Sequence, residues 1–195
     1  MPSTGPAAPR SVSPQSLARA FEAVPDPRRA ASVTYPLHAV LALAVAAIVA
    51  HHVSARAVAE WGARQSPALL PALGFSHGRT PCQSTLQRLF AKLDGGALAA
   101  VLTAHVAPRA PPPAAGQGVA MDGKARRGRL RFPFGEDASL IHAGGGPPVL
   151  ALLRDAAVSL LGGHGVHQIA SRLRRHSQRP TEAVALVDGP PLARA

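Results

Sequence analysis

The stretch LHAVLALAVAAIVA, Leu37 to Ala50, decides what kind of fold this chain adopts. Its 14 residues are apolar except for His38, and many of them are alanines that pack well between other helices. A membrane-spanning helix needs about 20 apolar residues, and this run is shorter and is followed at once by His51 and His52. We therefore predict a buried core helix and no membrane partner. A small membrane-associated protein is the alternative.

Helical patterns surround this run, from about Gln15 to Val106. Before it, Ser13 is suited to cap a helix that starts at Pro14. After it, Ser54 is suited to cap a helix that carries the sequence AEW. The segment TPCQSTLQRLFAKLD, residues 80–94, is strongly amphipathic because its apolar residues recur at helical spacing. That stripe consists of Leu86, Leu89, Phe90 and Leu93.

The charge of the chain points to a polyanionic partner. It contains 21 Lys and Arg against 10 Asp and Glu, a formal net charge of +11, and nucleic acid is the usual partner of such a surface. A basic composition without a ligand is the alternative. The single cysteine, Cys82, excludes an internal disulfide and a cysteine-based zinc site. We expect a cytoplasmic protein, because residues 1–12 lack the apolar stretch of a signal peptide.

The composition divides the chain into five predicted segments. A Pro-rich run separates a helical part from short strand-like runs, and consecutive prolines favour an extended connector. The predicted segments are a disordered tail at 1–12, a helical domain at 13–107, a linker at 108–118, first strands at 119–143 and an irregular tail at 144–195.

A DNA-binding surface is predicted in the helical part. A helix around Glu60, a turn near residues 74–78 and a helix with small hydroxyls at its start are arranged like a helix-turn-helix. In such a motif, side chains at the start of the second helix reach base edges or phosphates. A solvated helix face is the alternative. The predicted DNA contacts are Arg79, Ser84, Thr85 and Arg88.

A candidate metal ligand follows the linker in GVAMDGKARRG, residues 118–128. Asp122 ends an apolar strand-like run, and an aspartate there offers the hard oxygen ligands that Mg²⁺ prefers. The basic side chains Lys124, Arg126 and Arg127 lie on the neighbouring turn, where phosphates would approach. The residues alone leave an ordinary Asp-Gly hairpin turn as the alternative.

Several motifs, in this order, resemble the N-terminal region of the H-repeat-associated family of DDE transposases from bacterial insertion sequences. In that family a PDPR turn precedes a YPL core helix, and AEW, ST-x-x-R and IDGK-x-x-RG motifs follow. Here the resemblance extends from Phe21 to Gly128. Its motifs are PDPR at 25–28, YPL at 35–37, AEW at 59–61, STLQR at 84–88 and MDGKARRG at 121–128.

This resemblance implies a DNA transposase with an α/β RNase H-like catalytic domain that begins at the strands of residues 119–143. It implies that Asp122 is the first carboxylate of the catalytic triad and a Mg²⁺ ligand. Carboxylates that hold two metal ions activate the attacking group and stabilise the leaving oxygen in phosphodiester chemistry. DNA is the implied partner.

The chain departs from the family pattern beyond ASLIHA, residues 138–143. Asp188, 66 residues after Asp122, ends another strand-like run and is the candidate second carboxylate, or else a turn residue in a shifted reading frame. No acidic residue follows it. We therefore expect a truncated or frameshifted transposase that is inactive alone. The alternative is a non-catalytic DNA-binding or regulatory partner of a full-length transposase. The expected protein partners are a full-length transposase or a second copy of this chain in an oligomer.

This sequence predicts an inactive catalytic site. Purified protein incubated with supercoiled DNA and Mg²⁺ or Mn²⁺ is expected to leave the DNA intact, because one motif-supported carboxylate cannot hold two metal ions. Asp122→Ala and Asp188→Ala are the matched variants for a gel assay. Cleavage by the unmodified chain that both substitutions abolish would show a working site and contradict this expectation.

Overall fold

A computed structural model describes residues 16–106, 146–163 and 169–188. Within these ranges the protein is mainly helical and has no β-strand. Three short 3-10 helices occur at 21–23, 30–32 and 70–73. The α-helices of the described residues are α1 (Leu17–Ala20), α2 (Leu37–Val49), α3 (Ala55–Ala63), α4 (Gln83–Lys92), α5 (Gly95–Val106), α6 (Gly146–Gly163), α7 (Ile169–Gln178) and α8 (Pro180–Asp188).

Helix α2 is the centre of the fold. Every residue of α2 except His38 is buried, because α1, α3, α6 and α8 all pack against it. The prediction of a buried core helix at Leu37 to Ala50 is thus confirmed. No helix in the described part of the chain is long and apolar enough to cross a membrane.

The end of α2 is fixed by its backbone. His51 adopts a left-handed conformation, with φ of 72°, and the amide of His52 donates to the carbonyl of Ala47 at 2.8 Å. This is the hydrogen bond of a Schellman motif, which satisfies a carbonyl at the end of a helix. The chain therefore turns sharply before α3 begins.

Helices α3 and α4 confirm two local predictions. The Ser54 hydroxyl accepts a hydrogen bond from the amide of Ala57 at 3.1 Å, so Ser54 caps α3 as expected. The predicted apolar stripe of residues 86–93 is buried. The helices pack against each other, but residues 64–82 separate them, including a 3-10 helix that ends at Gly74. That connection is far longer than the turn of about three to four residues that joins the helices of a helix-turn-helix. Helices α3 and α4 are therefore not connected as this motif requires.

The predicted irregular tail at 144–195 is wrong for the part that the structure describes, because α6, α7 and α8 lie there. Glycines and prolines obscured the pattern of α6 in the sequence. Pro147 falls in the first turn of the helix, where a missing N–H costs nothing. From there apolar residues recur at helical spacing and are buried, namely Val149, Leu150, Leu153, Ala156, Ala157, Leu160 and Leu161.

The strand-like run before Asp188 is also corrected by the structure. Residues 180–188 form α8, which packs against α2 and buries Ala183, Val184 and Val187. Asp188 is the last residue of this helix, and partial burial raises the pKa of its carboxyl. Neither the run nor Asp188 belongs to a β-strand.

The C-terminal helices share one hydrophobic core with the helices before them. Helix α6 packs against α2, α4 and α5. The guanidinium of Arg154 in α6 donates to the carbonyl of Val53 at 2.9 Å, which joins parts of the chain 101 residues apart. The helices after residue 145 therefore complete the core around α2.

Five predicted features lie outside the described residues. They are the tail at 1–12, the helix start at Ser13 and Pro14, the linker at 108–118, the strands at 119–143 that would start an RNase H-like domain, and the GVAMDGKARRG motif with Asp122, Lys124, Arg126 and Arg127. They stay predictions.

The packing of α6 predicts that Leu153→Ala destabilises the whole protein. Leu153 is fully buried, and removal of a buried leucine side chain lowers the free energy of unfolding by about 2–5 kcal/mol. Urea denaturation of the full chain measures this loss. The matched control is Leu152→Ala on the same helix, because Leu152 is only partly buried. Equal, near-zero losses for both variants would contradict the core position of α6.

Candidate nucleic-acid interface

A surface cleft of about 300 Å³ lies between α4 and the segment before α2. Three basic side chains and four hydroxyl-bearing side chains face it, together with one leucine, and no carboxylate is among them. The segment before α2 contributes Arg28, Ser32, Thr34 and Tyr35, and α4 contributes Thr85, Arg88, Leu89 and Lys92.

The wall formed by α4 follows from helical spacing. Thr85, Arg88 and Lys92 are three and four residues apart, so they lie on one face of the helix. The buried stripe of α4 holds this face in place, and Leu89 belongs to both the core and the cleft lining. The Arg88 Nε donates to the carbonyl of Ser84 at 3.2 Å. Within the described residues, neither Arg88 nor Lys92 forms an ion pair with a carboxylate.

The opposite wall is held by an Asp26–Arg28 ion pair. The Arg28 guanidinium donates to both Asp26 carboxylate oxygens, at 2.8 Å and 2.6 Å, and to the carbonyl of Tyr35 at 2.8 Å. Such bidentate contacts fix the planar guanidinium. The hydrogen bond from Arg28 lowers the pKa of the Asp26 carboxyl. Arg28 is therefore a fixed part of the wall whose charge is balanced by Asp26.

Tyr35 connects this wall to the core. Its ring meets the ring of Phe75 edge to face, with centroids 6.1 Å apart, and Phe75 is buried. Edge-to-face contact is a favoured arrangement of aromatic pairs. The cleft is thus bounded by side chains that the fold holds on both sides.

Cys82 lies at the N-terminal end of α4, beside the cleft. Its exposed Sγ is 3.3 Å from both the Ser84 hydroxyl and the Thr85 hydroxyl. These hydrogen bonds lower the pKa of the Cys82 thiol to about 6. Thr85 therefore contacts the thiol while its side chain also lines the cleft.

The structure brings two of the predicted DNA contacts into the cleft. Thr85 and Arg88 line it. Ser84 is exposed on the first turn of α4 but does not line the cleft, and Arg79 is exposed in the loop before α4. Asp188 lies on α8 and is not among the lining residues.

The remaining lining residues, above all Arg28 and Lys92, were not predicted from the sequence. For both residues, the sequence contained a pattern that could have pointed to them. Lys92 is four residues after Arg88 on the polar face of an amphipathic helix, and Arg28 ends the PDPR motif. The local sequence shows a turn at PDPR, but not that this turn faces α4.

The structure gives the predicted Mg²⁺ no site in its described part. Among the described residues, no group of three or more His, Cys, Asp or Glu side chains could hold a metal ion. Asp122, the predicted ligand, lies outside that part of the chain, so Mg²⁺ binding there stays a prediction.

The Cys82 environment predicts a thiol that ionises below neutral pH. Because the thiolate is the nucleophile, the alkylation rate of the single cysteine should reach half its maximum at a pH of about 6. Removal of both hydroxyls in Ser84→Ala/Thr85→Ala should move this midpoint toward the ordinary cysteine value of about 8.5. Ser177→Ala, exposed on α7, is the control. An ordinary midpoint in the unmodified chain would contradict the hydrogen-bonded geometry.

Comparisons with known proteins identify the region that contains the cleft. Searches of curated proteins and of solved structures returned no match. A family model described as DDE_Tnp_1-associated matches residues 18–106, which include α2 to α5 and both walls of the cleft. The resemblance is confirmed for these residues: they are similar to a region associated with DDE transposases.

Proposed function

We propose that residues 16–106 are the DNA-binding region of an insertion-sequence transposase and hold the DNA backbone at the cleft. The observation that carries this proposal is the convergence of Arg28, Arg88 and Lys92 on one cleft without a lining carboxylate. That cleft lies in a region associated with DDE transposases, whose substrate class is DNA.

Charge supports the proposal at two scales. The whole chain carries a formal net charge of +11, which attracts a polyanion over a distance of the order of the Debye length. At short range, Arg88 and Lys92 are the cations of the cleft without an acidic partner in the described residues. Arginine and lysine contacts to phosphates supply most sequence-independent DNA affinity.

Two exposed residues outside the cleft extend the proposed contact surface. Ser84 and Arg79 are exposed near the start of α4, and side chains of these types commonly contact DNA phosphates. Such contacts position a protein on the duplex without reading its sequence. We include Lys124, Arg126 and Arg127 in the proposed DNA contacts on the strength of the family resemblance alone.

The catalytic part of the proposal rests on the resemblance as well. In this proposal Asp122 is a Mg²⁺ ligand of a DDE site for DNA transposition, and Asp188 is a weaker candidate for the second carboxylate. A full-length transposase or a second copy of the chain completes the active assembly. The proposed protein works in the cytoplasm, where the DNA of a bacterial insertion sequence lies.

DNA binding should weaken steeply with salt and depend on the cleft. Each neutralised phosphate contributes about 0.9 to the slope of log affinity against log salt, so Arg88→Ala/Lys92→Ala should lower that slope by about 1.8 as well as the affinity. Fluorescence anisotropy of a labelled duplex at several salt concentrations measures both.

The matched control is Arg19→Ala/Arg174→Ala, which also removes two exposed arginines, from α1 and α7. It should change the slope much less than the cleft variant. Equal effects of the two double variants would show diffuse charge attraction instead of a cleft. Absence of binding by the unmodified chain would overturn the proposed function.

A further inference from the structure

We propose that the cleft is a pocket for a phosphomonoester of the kind that ends a DNA strand, in preference to the phosphodiester within a strand. This inference rests on the proposed function for the identity of the DNA, and on the cleft for the preference. Its four supports are the size of the cleft, its charge balance, the spacing of its cations and its remaining donors.

The size of the cleft suits a phosphate group. A volume of about 300 Å³ lies at the lower end of the range for ligand pockets, so a phosphate with part of its sugar fits. The walls of the cleft come from two separate segments, so basic and hydroxyl side chains meet the group from both sides.

The charge balance favours a dianion. Asp26 pairs with Arg28 at 2.6 Å and balances its charge. Arg88 and Lys92 then leave two positive charges in the cleft, because no lining residue is acidic. A phosphomonoester carries a charge of about −1.5 to −2 at pH 7, and a diester carries one negative charge. The monoester is therefore the closer match.

The spacing of these two cations also points to an anion between them. Arg88 and Lys92 are four residues apart on α4, and like charges at this spacing destabilise a helix. Neither cation has a carboxylate partner among the described residues. An anion bound between them removes the repulsion and accepts hydrogen bonds from both side chains.

Two of the four hydroxyls that line the cleft already have a partner. Ser32 donates to the carbonyl of Arg29 at 2.8 Å, and Thr85 contacts the Cys82 thiol. Thr34 and Tyr35 line the cleft, and in the described part of the chain their hydroxyls form no hydrogen bond. They are placed to donate to the oxygens of a phosphate, which has three acceptor oxygens.

The test compares duplexes of one sequence whose 5′ ends carry either a phosphate or a hydroxyl. Anisotropy with the full chain should show about tenfold tighter binding of the phosphorylated duplex, the gain expected from one additional charge-assisted hydrogen-bonded contact. Lys92→Ala should abolish this preference, and Lys92→Arg should retain it. Arg174→Ala, which leaves the cleft intact, should also retain it.

A second arm uses a nucleoside monophosphate and inorganic phosphate as small probes. Each should raise the unfolding temperature of the unmodified full chain and compete with the phosphorylated duplex, and neither should affect Lys92→Ala. Stabilisation by these probes together with no binding of either duplex would identify a free phosphomonoester as the ligand.

The outcomes distinguish the two proposals. Tight but equal binding of both duplexes overturns the phosphomonoester pocket and leaves the DNA-binding function intact. Absence of DNA binding with stabilisation by the small probes overturns the DNA-binding function, supports the pocket and assigns it a free phosphomonoester. Absence of both effects overturns the pocket and the proposed function together.

Discussion

Burial of α2 on every side is the constraint on which the rest of the structure depends. An amphipathic helix needs a partner on one face only, but an all-apolar helix must be covered all round. Helices α1 and α3 come from the same region of sequence, and α6 and α8 supply the remaining cover from beyond residue 145. The hydrophobic effect therefore ties distant parts of the chain into one core.

The geometry of the cleft follows from the packing of that core. Helix α4 packs its apolar stripe inward against α3 and α6, which directs Arg88 and Lys92 to the opposite face. On the other side, Arg28 is fixed by Asp26 and by the carbonyl of Tyr35. Side chains that the fold already holds in place spare a ligand the entropy cost of ordering them. A small number of exposed residues would then suffice for the proposed anion pocket.

The sequence predicted what depends on local chemistry. The central helix, the Ser54 cap and the stripe of α4 each follow from residues near one another in the chain, and the structure has all three. Glycines and prolines at the borders of α6 and α8 suggested irregular chain, because those residues disfavour helix interiors. Here Pro147 and Pro180 fall at helix starts, and the apolar spacing after them decides the structure.

Only a small part of the cleft could be predicted. Thr85 and Arg88 were found because they share a helix with a clear polar face. Arg28 was not, since its role depends on a contact between α4 and a turn more than fifty residues earlier, and no local pattern encodes that approach. The low pKa of Cys82 likewise depends on the directions of two hydroxyls.

Leu89 has a consequence for how this protein can evolve. The same side chain packs in the core and lines the cleft, so a substitution there alters stability and ligand contact at once. Close-packed interiors transmit such changes to their neighbours. Natural variation at Leu89 is thus expected to be accompanied by changes at neighbouring residues of the core and of the cleft lining.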